Sequence, residues 1–362
     1  KVIGEDSENT KAPEAPVITE VIDDQRGGKF NEDVKGGLTN DSTPTFKGTA
    51  KPGTTITLKN GNDVIADNIP VKTDGSWEFT LKTPLAQGDY SITATATNAA
   101  GKVSAPSDAA TIKIDLHSDE PVITEIIDNV AGGVVNGDVK GGLTNDNTPT
   151  LKGTAEPFAT VEIKIDGRGS YRFENGEVIS NWTAVADKDG NWEFTTPKLS
   201  DGHHNFEAQA TDVAGNNSQP SALVSIDVDT HIDAPVITAV TDNWWGGVEN
   251  GGNILGVNDG FTNDTTPTFK GTAEAGSTIV LKNGNDIINK DIIVKADANG
   301  NWEFTPKSPL AEGEYNVVAI ATDKAGNVSN PSNVATVNVD ISTTQPVITE
   351  IIDDVAGGVV GN

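Results

Sequence analysis

The chain has no cysteine and no methionine among its 362 residues. Without cysteine there can be no disulfide framework and no thiolate zinc site, and nothing in the fold depends on a redox compartment. No stretch of about 18 apolar residues occurs, and Lys1–Thr10 lacks an apolar core, so neither a membrane span nor a cleavable signal is expected within this segment. Basic side chains are scarce: 25 against 53 acidic ones, a net charge of −28 and a pI near 4.3. Such a chain repels phosphate backbones and anionic headgroups, which excludes nucleic acid and membrane insertion and favours hard cations. The four histidines do not assemble an enzyme. His203 and His204 stand where Asp89-Tyr90 and Glu314-Tyr315 begin a strand in sister segments, and His117 and His231 fall in linkers. No enzymatic activity is expected.

What is abundant is repetition. Pro-Val-Ile-Thr starts at Pro16, Pro121, Pro235 and Pro346, at spacings of 105, 114 and 111 residues, which are domain-sized periods. Leu-Thr-Asn-Asp follows at Leu38–Asp41 and Leu143–Asp146, with Phe261–Asp264 as the third copy. Next comes Thr-Pro-Thr-(Phe/Leu)-Lys-Gly-Thr-Ala from Thr43, Thr148 and Thr266, then Trp-Glu-Phe at Trp77, Trp192 and Trp302, then Ala-Gly at Gly101, Gly215 and Gly326. The landmarks divide the chain into a linker (1–15), three units (16–116, 117–230, 231–341) and the first strand region of a fourth (342–362).

Within each unit, short runs of Thr, Val, Ile and aromatics alternate with period two between turn clusters. Trp77 and Phe79 oppose Glu78; Tyr90, Ile92, Ala94 and Ala96 oppose Ser91, Thr93, Thr95 and Thr97; Val317, Ala319 and Ala321 repeat the pattern. Alternation of this kind describes sheets packed on one face, and about seven strands in about 100 residues describe a sandwich. The expected fold is all-β: three tandem immunoglobulin-like sandwiches in an extended rod. Asp74-Gly75, Asp189-Gly190 and Asn299-Gly300 mark a tight turn before each Trp strand. Asp187–Asn191 resembles the opening of a calcium loop but lacks a terminal bidentate Glu, so the turn reading is favoured.

In immunoglobulin strand order, the connection between the first two strands and the end of the last strand share one pole, and the loop before the last strand sits at the other. This order gathers acidic residues at the junctions. Asp23, Asp24, Asp41 and Asp115 meet Asp212 of the next unit; Asp128, Asp146, Asp227 and Asp229 meet Asp323; and Asp242, Asp264 and Asp340 mark the third junction. Crowded carboxylates raise one another's pKa unless a cation sits among them. Calcium fits best, because it accepts six to eight oxygens in loose geometry, whereas magnesium demands a rigid octahedron and zinc wants His or Cys. Ca2+ is therefore the expected cofactor, bridging Asp115 with Asp212 and Asp227, Asp229 with Asp323.

These segments, with Thr-Asn-Asp-(Ser/Asn/Thr)-Thr-Pro-Thr and Ala-Thr-Asp-Lys-Ala-Gly-Asn, resemble the bacterial Ig-like modules of giant type I-secreted adhesins over nearly all of residues 16–362. The resemblance implies intermodule calcium, secretion as an unfolded chain to the bacterial cell surface, a role in virulence, and contact with host-cell surface glycans or glycoproteins. Asn98 departs from the pattern where the other copies have Asp212 and Asp323, which puts calcium above the first unit in doubt.

Two irregularities break the repeat. The second unit carries an insertion near Gly167–Trp182 with Arg168, Tyr171, Arg172 and Trp182, and the third has Trp244-Trp245 where other copies read Gln25-Arg26 or Val130-Ala131. Trp244, Trp245, Arg172 and Trp182 are the candidate ligand contacts. Adjacent tryptophans in a polar loop can stack on sugars or cover a module junction, and the sequence leaves both open. It likewise leaves open whether the segment binds a host ligand or only spaces a binding tip from the surface.

Overall fold

The computed structural model describes residues 11–133, 137–169, 171–172, 178–180, 182–242, 253–256, 260–342 and 347–349. Every regular element among them is a strand. The first module comprises Val17–Asp23 (β1), Glu32–Asp33 (β2), Leu38–Thr39 (β3), Thr45–Thr49 (β4), Thr55–Asn60 (β5), Asp63–Pro70 (β6), Ser76–Thr80 (β7), Gly88–Thr97 (β8) and Ala110–Ile114 (β9). One sheet runs β2-β1-β4-β7 and the other β3-β9-β8-β5-β6. All pairings are antiparallel except β3 with β9, which lie parallel.

The second and third modules repeat this plan. Val122–Asp128 pairs with Thr150–Thr154 and Val236–Asp242 with Thr268–Thr272, while Gly202–Thr211 and Gly313–Thr322 are central in the facing sheets. By packing, the first two modules form one unit, and the third forms another that also takes Ala131–Gly133. Most of the expected fourth strand region lies outside the described residues.

Each module closes around its own core. Ile92, Ala94 and Ala96 are buried in the first, Phe206, Ala208 and Ala210 in the second, and Val317, Ala319 and Ala321 in the third, as the period-two pattern requires. The tryptophan of each Trp-Glu-Phe lies over the glycine of Lys-Gly-Thr-Ala. A Cβ at Gly153 would stand 2.1 Å from Val122 O and 2.2 Å from Trp192 Cζ2, and Gly48 and Gly271 are equally closed by Trp77 and Trp302. The glycine is therefore the seat of the ring. All three indole N–H groups are buried without an acceptor, so these side chains hold the sandwich through area and shape rather than through a polar bond.

The turns before the Trp strands are self-bracing. Asp187 Oδ1 accepts Asp189 N at 2.8 Å and Asn191 N at 2.9 Å, and these hydrogen bonds hold its carboxyl below the ordinary range. Asp297 does the same with Asn299 N and Asn301 N. This is the turn geometry expected from the sequence, with the carboxylate occupied by its own backbone.

Candidate metal centre

The loop following the longest strand supplies the aspartate that the site is built around. In the second module, Asp212 Oδ1 accepts Gly215 N at 2.7 Å and Asn216 N at 2.8 Å, while Oδ2 accepts Asn216 Nδ2 at 2.8 Å. The other hydrogen of that amide reaches the linker carbonyl Asp115 O at 2.8 Å. In the third module, Asp323 repeats the bracket with Gly326 N and Asn327 N, and Asn327 Nδ2 donates to Asp323 Oδ2 and to Asp229 O at 2.7 Å. Asp-x-x-Gly-Asn thus folds a loop around its own aspartate and clamps the preceding linker. Gly215 has φ +97°, a conformation that lets its N–H turn toward the carboxylate and that other residues resist.

Three carboxylates converge beside this clamp. Oxygens of Asp229, Glu274 and Asp323 all lie within 4.8 Å of one another, with Glu274 exposed and the two aspartates half-buried, and this is the one such group among the described residues. Glu274 directly follows Lys-Gly-Thr-Ala, in a turn closed by Ser277 N and Oγ on Glu274 O. Desolvation and the charges of Asp323, Asp229 and Asp233 push its carboxyl up, with His231 partly opposing. All the donors are hard oxygens in a loosely spaced set, which suits calcium and offers zinc no nitrogen or sulfur. The second module has Asp115, Glu156 and Asp212 at the matching positions, but there Glu156 Oε1 accepts Asp119 N at 2.6 Å. Its carboxylate turns to the linker backbone.

Sequence reasoning singled out Asp229 and Asp323 but missed Glu274 and Glu156. The available signal was the residue after Lys-Gly-Thr-Ala. Asp227, expected beside Asp229, instead pairs with His203 Nδ1 at 2.9 Å, a contact that pushes the imidazole pKa up. Asp115 contributes its backbone carbonyl to the clamp. Asp340 accepts Ser342 N at 3.2 Å.

The remaining acidic residues organise the long connection after the first strand. Thr39 Oγ1 donates to Asp23 Oδ2 at 2.7 Å, Gln25 N to Asp23 Oδ1 at 2.8 Å, and Thr43 N to Asp41 Oδ1 at 2.7 Å. Asp128 and Asp146 are held alike by Thr144 Oγ1 and Thr148 N, and Asp242 and Asp264 by Thr262 Oγ1 and Thr266 N. All six aspartates are buried. Asp24 remains exposed, and burial with the charges of Asp41 and Asp23 pushes its carboxyl up, against a hydrogen bond from Thr45.

The glycine pair in the same connection meets the next module. A Cβ at Gly28 would lie 2.3 Å from Ala214 O, and one at Gly215 would lie 2.4 Å from Gly27 O and Gly28 Cα. Within the packing unit that holds the third module and Ala131–Gly133, Gly326 approaches Gly132 and Gly133 in the same way. The paired glycines thus allow backbone to touch backbone.

Of the candidate ligand contacts, Trp182 is partly buried against the second core, and its carbonyl accepts Ile163 N at 2.7 Å. Arg172 lies in Tyr171–Arg172, which pairs with Val178–Ser180 as a separate two-stranded ribbon; the disposition of its side chain is outside the description. Trp244 and Trp245 lie outside the described residues.

A family model for the bacterial Ig-like domain matches residues 13–116, 121–230 and 254–341. The chain belongs to the bacterial Ig-like domain family. Among relatives of these Ig-like modules, Bacillopeptidase F of Bacillus subtilis (strain 168) is 28% identical over 202 residues, covering 56% of this chain. The match spans only 12% of that protein. Solved structures similar to the chain include a tetra-tandem repeat in the extending region of a large adhesion protein (21% identity, 90% of this chain and 75% of that one, TM-score 0.25). Another is a set of fibronectin(III)-like modules of CbhA from Clostridium thermocellum (18% identity, 53% of this chain and 88% of that one, TM-score 0.27).

Proposed function

We propose that these tandem Ig-like modules form a calcium-stiffened segment of a secreted bacterial adhesin, holding the linkers between modules at fixed angles on the outside of the cell. The observation that carries this reading is the convergence of Asp229, Glu274 and Asp323. The three come from a linker, a turn and a loop, so one cation shared among them fixes the direction in which the linker meets the third module. The raised carboxyl of Glu274 fits a cluster whose charge is to be neutralised by an ion. Extracellular modules bind calcium with Kd of about 10⁻⁴–10⁻³ M. At about 2 mM calcium each site would then contribute roughly 0.6–1.8 kcal/mol. That is too little to fold a module and enough to bias a linker.

The finer reading adds attachment to host-cell surface glycans or glycoproteins, in the manner of a giant non-fimbrial adhesin. A purely structural stalk is the alternative. One observation favours the stalk: Trp182, an expected ligand contact, packs against a core. Small-angle scattering with and without calcium tests the stiffening, and a glycan array tests the attachment. Chelation should leave β-sheet content intact, shorten the maximum dimension and speed protease cutting near Asp229–Pro235. An unchanged dimension would refute the stiffening role.

A further inference from the structure

The head of the first module carries the same clamp with different chemistry. Asn98 takes the place of Asp212 and Asp323, and its Oδ1 accepts Ala100 N at 3.1 Å and Lys102 N at 2.9 Å. Its Nδ2 donates to the linker carbonyl Lys11 O at 2.8 Å, as Asn216 and Asn327 do to Asp115 O and Asp229 O. A neutral amide therefore does the work of the aspartate bracket and of the asparagine clamp together.

The other two carboxylate positions are also replaced. Lys51 directly follows Lys-Gly-Thr-Ala, where Glu156 and Glu274 stand, and the clamped linker residue is Lys11 rather than Asp115 or Asp229. The three positions are Asp, Glu and Asp in the second and third modules, a formal −3. In the first they are Lys, Lys and Asn, a formal +2. Lys11, Lys51 and Asn98 border one open cleft together with Glu14. A divalent cation there would meet two ammonium groups and a single carboxylate, with none of the three paired acids that gather at the head of the third module.

We infer that the first module is joined to its linker without a divalent cation, because Lys51 and Asn98 stand where the third module places Glu274 and Asp323. This rests on the calcium reading of the third module. The segment then combines a joint that calcium tightens with one that stays closed at any calcium level, and stiffness differs from joint to joint along one chain.

Hydrogen exchange read by mass spectrometry on the full chain, with calcium at about 2 mM and after chelation, tests this. Peptides covering loops 98–103 and 323–328 are compared in the wild type and in the double variant Lys51→Glu/Asn98→Asp. Calcium should slow exchange in loop 323–328 by roughly three- to twenty-fold, the factor set by the expected affinity, and leave loop 98–103 unchanged. The double variant should gain a calcium response in loop 98–103 and one further bound ion by calorimetry, with circular dichroism verifying its fold. A wild-type response in loop 98–103 would overturn the inference. So would a folded double variant that gains nothing while loop 323–328 still responds. A flat loop 323–328 in the wild type would overturn the calcium reading and this inference with it, and is recognised by that loop alone.

Discussion

Alanine at Gly215 is expected to part the first and second modules while leaving both folded. The added Cβ would stand 2.4 Å from Gly27 C, Gly27 O and Gly28 Cα, where ordinary contact begins near 3.4 Å. All three atoms are backbone, so no rotamer change relieves the clash, and the two loops must separate by about 1 Å, which forfeits much of their dispersion contact. The substitution also places a side chain at φ +97°, a local strain of about 1–3 kcal/mol. Gly101 isolates that second effect: it has φ +75°, and a Cβ there would meet nothing within 4 Å. Gly101→Ala therefore reports strain alone, and the difference between the two variants reports the module contact. Amide exchange at residues 24–28 should accelerate in Gly215→Ala and not in Gly101→Ala, while calorimetric transitions of the cores shift alike in both. Two variants indistinguishable in exchange at residues 24–28 would refute the backbone docking.

Other substitutions test the cores and the carboxylates. Trp192→Ala removes the ring seated on Gly153 and should cost the second module about 3–5 kcal/mol, read as a lowered calorimetric transition for that module. Thr144→Val leaves the fully buried Asp128 Oδ2 without its donor and should cost about 1–3 kcal/mol by denaturant unfolding. Glu274 gives a pH signature. Its folded pKa is raised above the ordinary 4.5, so its neutral form is favoured in the fold and the associated stability is lost as pH rises through the raised value. Thermal scans of the chelated protein should therefore show the third module weakening upward from about pH 4.5, and both calcium and Glu274→Gln should flatten that dependence.

The sandwich was legible because period-two burial is a local property: Ile92, Ala94 and Ala96 or Val317, Ala319 and Ala321 announce one packed face without reference to the rest of the chain. The Trp-Glu-Phe and Lys-Gly-Thr-Ala repeats were equally plain, although only the structure explains the second by the first, through a ring lying on a glycine. The site was partly legible. Asp229 and Asp323 were marked by recurrence, and so were Asp23, Asp41, Asp128 and Asp146. Spacing does not show that the latter four carboxylates are occupied by threonine hydroxyls and amides of their own loop. Glu274 escaped notice because a Glu after Lys-Gly-Thr-Ala recurs only at Glu156 and gives way to Lys51 in the first unit, and its meaning comes from the two aspartates folded next to it. The paired glycines at Gly27-Gly28 look like loop filler until Ala214 and Gly215 are seen against them.

Isothermal titration of calcium into the full chain, compared with Glu274→Gln, tests the central claim most directly. None of the hydrogen bonds that bracket Asp323 involves Glu274, so neutralising it would remove one proposed ligand charge and spare the clamp. The wild type should bind with a Kd of about 10⁻⁴–10⁻³ M, and Glu274→Gln should lose one ion per chain or weaken one site at least about tenfold, equivalent to about 1.4 kcal/mol. Identical stoichiometry and affinity in the two proteins would contradict a calcium centre at Asp229, Glu274 and Asp323.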